Sequence, residues 1–137
     1  MADDGVRETD ARSEVTAVAG TAQPASGPES AAAAALFGER VELATRYATL
    51  LTTTGISHGL LGPREAPRVW NRHVLNCAAL VEVLPSTGKL ADVGSGAGLP
   101  GLVLAIARPG LRVTLIEPLE RRVRWLDEPF YIIAGYG

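Results

Sequence analysis

The sequence has a single cysteine, Cys77, among 137 residues, so no internal disulfide can form. That suits a reducing compartment. With one cysteine and two histidines, His58 and His73, ligands for a metal cluster are scarce and no metal is expected. Long hydrophobic runs are also missing. The longest stretch without an Asp, Glu, Lys or Arg runs from Tyr47 to Pro63, and the three threonines Thr52–Thr54, Ser57, His58 and three glycines interrupt it. No membrane span fits there. No basic segment followed by an apolar run opens the chain, so no secretory signal is expected and a cytoplasmic location is. Aromatic residues make up only 5%, but hydrophobic residues make up 47%. That fraction excludes a fully disordered chain and supports one globular domain.

The net charge of −2 averages two unlike parts. Residues 1–35 hold Arg7 and Arg12 against Asp3, Asp4, Glu8, Asp10, Glu14 and Glu29, a net −4. Residues 36–137 are mildly basic, at +2. A body of that charge permits contact with nucleic acid without arguing for it. Residues 1–35 form an acidic, alanine-rich segment, and up to residue 30 it has few large apolar side chains. It cannot bury enough surface to offset its ordering entropy and is expected to be a disordered tail.

The alanine run from Ala31 to Ala35 favours helix. It leads into Leu36, Phe37, Val41, Ala44, Tyr47, Ala48 and Leu51, which form one apolar helical face. The three threonines and Gly55 are expected to end that helix. Residues 56–67 read as a loop, and a second amphipathic helix is expected over Arg68–Leu84. The pattern then changes. Leu90–Val93 reads as a short strand, Leu99–Arg108 as a helix and Leu111–Ile116 as a second strand rich in β-branched residues. A further helix begins at Glu120. Strand, helix, strand in this order predicts a βαβ unit with parallel strands.

Chemistry is concentrated in Asp92-Val93-Gly94-Ser95-Gly96-Ala97-Gly98-Leu99-Pro100-Gly101. Glycines between a strand and a helix permit positive φ and close approach of the backbone to a ligand. Gly96 to Gly101 fits G-x-G-x-x-G, the dinucleotide fingerprint, which leaves an NAD-dependent oxidoreductase open. Gly94-x-Gly96-x-Gly98 preceded by Asp92 looks more like the S-adenosylmethionine loop of class I methyltransferases. A carboxylate at the strand end suits a cationic amino group and would repel a pyrophosphate. Glu117, after the second strand, stands where an acid accepts bonds from ribose hydroxyls. For Asp92 the bland alternative is a helix cap or turn. For Glu117 it is an ordinary helix start.

Three segments together resemble the small-subunit (16S) ribosomal RNA methyltransferase G family, also called glucose-inhibited division protein B. They are Trp70-Asn71-Arg72-His73-Val74-Leu75-Asn76-Cys77, the segment Leu90–Gly101, and Thr114–Leu126. Gly59–Glu65 resembles the loop before that family's second helix. The resemblance covers roughly residues 37–126. It implies a class I S-adenosylmethionine-dependent methyltransferase fold (Rossmann-like, α/β) preceded by N-terminal helices. It also implies methyl transfer to N7 of one guanosine in 16S ribosomal RNA, with the small ribosomal subunit as partner. By position, Gly94, Gly96, Gly98 and Leu99 would line the cofactor, Asp92 its methionine end and Glu117 its ribose. Guanine N7 carries a lone pair and no proton, so the lack of a visible catalytic base does not count against this chemistry. No catalytic residue is assigned.

Two arginine clusters stand near these segments. Arg121, Arg122 and Arg124 follow the second strand, and Arg64, Arg68 and Arg72 precede His73. Arg72, His73, Arg121, Arg122 and Arg124 are candidates for RNA contact. Solvated helix faces, and a structural hydrogen bond for His73, are the alternatives. Trp70, Trp125 and Cys77 are expected in the core. Beyond Leu126 the sequence looks unlike the family, and Pro129 is expected to interrupt the last helix. A sheet truncated after its second strand, a monomer, weak cofactor binding and no RNA methylation are expected. A non-catalytic fragment is the further alternative.

Overall fold

A computed structural model describes residues 27–135. The expected disordered tail therefore lies outside the described residues as far as position 26. The first helix among the described residues, α1 (Ala31–Phe37), begins within the acidic segment. Ser30 caps it, its Oγ accepting from the Ala33 N–H at 3.0 Å, and Ala33 is fully buried. The alanine run, expected as part of the tail, is thus packed helix. Gly38, at φ +55°, breaks the helix. A tight turn, Gly38–Arg40, leads into α2 (Val41–Leu50).

Thr52, Thr53 and Thr54 do not end this helix. The chain continues through a wide turn over Leu51–Gly55. Their hydroxyls explain the difference: Thr52 bonds back to the Ala48 carbonyl at 3.0 Å and Thr53 to that of Thr49 at 2.7 Å. A threonine whose hydroxyl is satisfied on the preceding turn widens a helix without breaking it. The expected loop is shorter too, because Pro63–Arg68 form a tight helical turn with Pro63 at its start. The second expected helix is a succession of pitches rather than one cylinder: a wide turn at Val69–Val74, α3 (Leu75–Ala78) and a tight turn at Ala79–Val83.

Strand β1 (Gly88–Val93) and strand β2 (Leu111–Ile116) pair in parallel, from Gly88 opposite Leu111 to Val93 opposite Ile116. Between them lies α4 (Gly101–Ala107), starting two residues later than expected and acting as the crossover that parallel strands require. Leu102, Val103, Leu104 and Ile106 of α4 are all buried. The sheet described here has these two strands, and Val93 and Ile116 at their ends are exposed. No helix of the described residues is long and apolar enough to cross a membrane.

Helix α5 (Glu120–Ile133) runs through Pro129, contrary to expectation. A proline within a helix has no N–H for the carbonyl one turn earlier and costs about 3 kcal/mol. Here its ring is fully buried, and that packing offsets the lost bond. Trp125 is buried, as expected, and its indole N–H donates to Thr54 Oγ1 at 2.9 Å, joining α5 to the wide turn that follows α2. Cys77 is half-buried against the core, and Trp70 meets Phe37 edge-on at 6.5 Å.

Ile106 is fully buried at the centre of this packing. Replacing it by alanine is expected to cost about 2–5 kcal/mol, read as a lower urea midpoint with unchanged slope.

Candidate functional site

The glycine-rich turn lies between the end of β1 and the start of α4. Gly94, Gly96 and Gly98 take φ values of +77°, +57° and +92°, which side chains rarely adopt. Their surroundings differ. A Cβ on Gly94 would meet nothing within 4 Å, and one on Gly96 only the Gly94 carbonyl at 4.0 Å. These two glycines present bare backbone to open space. A Cβ on Gly98 would stand 2.6 Å from Leu102 Cδ1 and 3.0 Å from the Tyr47 hydroxyl. Gly98 is therefore required by the protein's own packing. Leu99, half-buried, packs on the core and joins Pro100 through a cis peptide.

Four contacts hold the turn. Gly94 donates its N–H to the Ile116 carbonyl at 2.7 Å, joining the two strand ends. Ser95 is buried; its Oγ donates to the Asp92 carbonyl at 2.9 Å and accepts from the Ile116 N–H at 3.1 Å. Tyr47, on α2, donates to the Ala97 carbonyl at 2.7 Å from a fully buried position. Burial, aided by the neighbouring Cys77 and Asp92, pushes the Tyr47 phenol well above its ordinary range, so it remains a donor. The fourth contact is Glu117. Its Oε1 accepts from Gly96 N–H at 2.8 Å and its Oε2 from Leu119 N–H at 2.9 Å. Its side chain is 3% exposed, with Arg122 at 3.9 Å. The Leu119 and Gly96 bonds, with help from Arg122, hold the carboxyl below its ordinary range.

Asp92 uses Oδ2 to accept from the Gly101 N–H at 3.1 Å, capping α4 as its bland alternative foresaw. A Cβ on Gly101 would come within 2.6 Å of that oxygen, so only glycine allows helix and strand this close.

The family model described as "GidB: rRNA small subunit methyltransferase G" matches residues 40–131, more than half of the chain. The chain belongs to this family. A protein named "Ribosomal RNA small subunit methyltransferase G" from Renibacterium salmoninarum is 63% identical over 106 residues, covering 77% of this chain and 48% of the relative. Proteins of the same name from an Arthrobacter species and from Frankia alni are 64% and 55% identical. Those matches cover 71% and 78% of this chain, and 45% and 40% of the relatives. The chain thus spans about half the length, or less, of the curated relatives it matches. Membership in a methyltransferase family sets aside the oxidoreductase reading of Gly96–Gly101.

Within this methyltransferase fold the basic candidates have different partners. His73 Nε2 lies 2.8 Å from Glu65 Oε1, with Arg72 at 3.7 Å and Arg68 at 3.9 Å from the same carboxylate. The His73 bond, chiefly, lowers the Glu65 carboxyl below its ordinary range. Arg122 turns to Glu117, Arg121 donates to the His58 carbonyl at 2.9 Å, and Arg124 pairs with Glu120 at 2.7 Å. Sequence reasoning gave no role to Ser95 or to the Tyr47 hydroxyl. Ser95 lay inside the motif, so its place between glycines was the available signal. The partner of Tyr47 is 50 residues away, and nothing local points to it.

Two outcomes test this geometry. Tyr47→Phe leaves the Ala97 carbonyl without its donor and is expected to cost about 1–3 kcal/mol in chemical denaturation. Glu117 has its pKa below the ordinary 4.5, so its bonds stabilise the fold above that value and are lost as pH falls through the lowered one. The Gly96 amide signal is expected to stay constant from about pH 7 to pH 5 and to shift only on further acidification.

Proposed function

We propose that these residues form the S-adenosylmethionine-binding half of a methyltransferase that modifies N7 of a guanosine in 16S ribosomal RNA. The observation that carries the reading is the pair Gly94 and Gly96, at positive φ with open space where side chains would stand. Bare backbone beside a carboxylate at each strand end suits a ligand carrying both an ammonium group and ribose hydroxyls.

Asp92 supplies negative charge for the methionine amino group. Glu117 keeps acceptor capacity beyond its two N–H bonds, because a carboxylate has about four lone-pair sites. Leu99 and the backbone at Gly94 and Gly96 line the cofactor, while Gly98 shapes the turn from behind. The cofactor, when bound, supplies an activated methyl group on a sulfonium. Guanine N7 needs no deprotonation, so the protein's contribution is to position both reactants and keep the turn rigid. The RNA partner is the small ribosomal subunit, met by groups among Arg72, His73, Arg121, Arg122 and Arg124. We place the protein in the cytoplasm and read it as a monomer. The 137 residues alone are proposed to bind cofactor weakly and to leave RNA unmethylated, since the two strands among the described residues offer one wall of a pocket that a doubly wound sheet encloses with about five or six.

Calorimetric titration is the direct test. S-adenosylmethionine and S-adenosylhomocysteine are expected to bind and NAD is not; binding of NAD alone would overturn the reading. Asp92→Asn keeps an acceptor for the Gly101 N–H but removes the charge, so the melting temperature is expected to hold while affinity for S-adenosylmethionine falls. Gly96→Ala is expected to weaken cofactor binding beyond its φ strain of about 1–2 kcal/mol. Gly98→Ala, which collides with Leu102 and Tyr47, is expected to lower stability first.

A further inference from the structure

Helix α5 presents Arg121, Arg124, Trp125 and Glu128 at spacings of three and four, which brings them to one face. That face closes, with Thr54 and His58 from the end of the first helical segment, a cleft of about 380 Å3. The volume is in the range of sites that take one small ligand or nucleotide. Its chemistry is mixed in a particular way. Two arginines and a histidine line it, together with Glu128, Thr54 and Trp125, whose N–H is already engaged by Thr54. The Arg121 bond to the His58 carbonyl joins the two elements that form the cleft. Arg124 is held by Glu120 alone, in a pair whose side chains are 71% and 79% exposed. Such a pair is worth little and yields readily to another anion. Arg122, next in sequence to Arg121, faces Glu117 and takes no part in lining this cleft.

We propose that this cleft seats the backbone of single-stranded RNA, with Arg121 and Arg124 on a phosphate and Glu128 accepting from a ribose hydroxyl or a base edge. The proposal rests on the RNA-methyltransferase reading above and narrows it to one surface. A bare anion site would not carry a carboxylate, and an acidic protein surface would be repelled by it. A nucleotide offers both an anion and hydrogen-bond donors.

The test is fluorescence anisotropy of the 137-residue chain with a labelled single-stranded RNA oligonucleotide at several salt concentrations. Arg124→Glu is expected to weaken binding about tenfold and to lower the salt slope by about 1. His58→Ala is expected to weaken binding by a smaller factor. Arg112→Glu, an equal change of charge at an exposed position of β2, is expected to leave affinity nearly unchanged. Any of three results would overturn the proposal: no RNA binding by the parent chain, equal losses in Arg112→Glu and Arg124→Glu, or unaltered binding by Arg124→Glu. Displacement of RNA by millimolar inorganic phosphate at constant ionic strength would also overturn it, by assigning the cleft to a free anion. S-adenosylmethionine affinity is measured on the same variants and is expected to be unchanged. A failure of the cofactor reading therefore appears in that titration, separately from a failure of the RNA cleft.

Discussion

The hydrogen bond from the Tyr47 hydroxyl to the Ala97 carbonyl ties the helical half of the structure to the glycine-rich turn. Around it α2, α4 and the turn meet with no space to spare: Gly98 lacks a side chain because Tyr47 and Leu102 occupy that space. Removing the hydroxyl would leave a buried carbonyl without a donor, and removing the ring would open a cavity beside α4. The helices that precede the strands therefore set the shape of the turn as well as covering the sheet. A turn of three left-handed glycines has much conformational entropy to lose, and it keeps one shape only because both sides hold it.

The second side is the strand ends. Ser95 and Gly94 bond to Ile116, and Glu117 reaches back to Gly96. The turn after β1 is thus fastened to the residues directly after β2, which is possible because the strands run parallel and end together. The two acidic residues do structural work at the same points where the proposed function places a cofactor. Asp92 caps α4 and Glu117 bridges two backbone N–H groups. The bland and the functional readings of these residues are therefore not exclusive. A carboxylate fixed in place by backbone donors is already oriented for the groups it would receive.

Adjacent arginines part company for a geometric reason. About 100° of helical rotation separates Arg121 from Arg122, so one faces the His58 side and the other Glu117. The sequence shows only a basic run. Likewise, Arg72 and His73 read as a basic pair next to an apolar face, yet both gather on Glu65, seven and eight residues earlier. The tight turn that begins at Pro63 makes this meeting geometrically available, and residues 56–67 had read simply as a loop.

The βαβ unit, the turn and its acids, and the membership of the methyltransferase family were legible in the sequence. Each depends on local signals: β-branched runs, glycine spacing, and the Leu-Pro-Gly and Arg-His motifs. Local signals failed where a distant partner outweighed propensity. Pro129 remains in a helix because the core accepts its ring, and the threonines continue a helix because their hydroxyls bond to the previous turn. Gly94, Gly96 and Gly98 are alike in sequence. Only the tertiary structure divided them into two that face open space and one that faces Tyr47, because what a missing Cβ makes room for depends on atoms brought in from elsewhere in the chain.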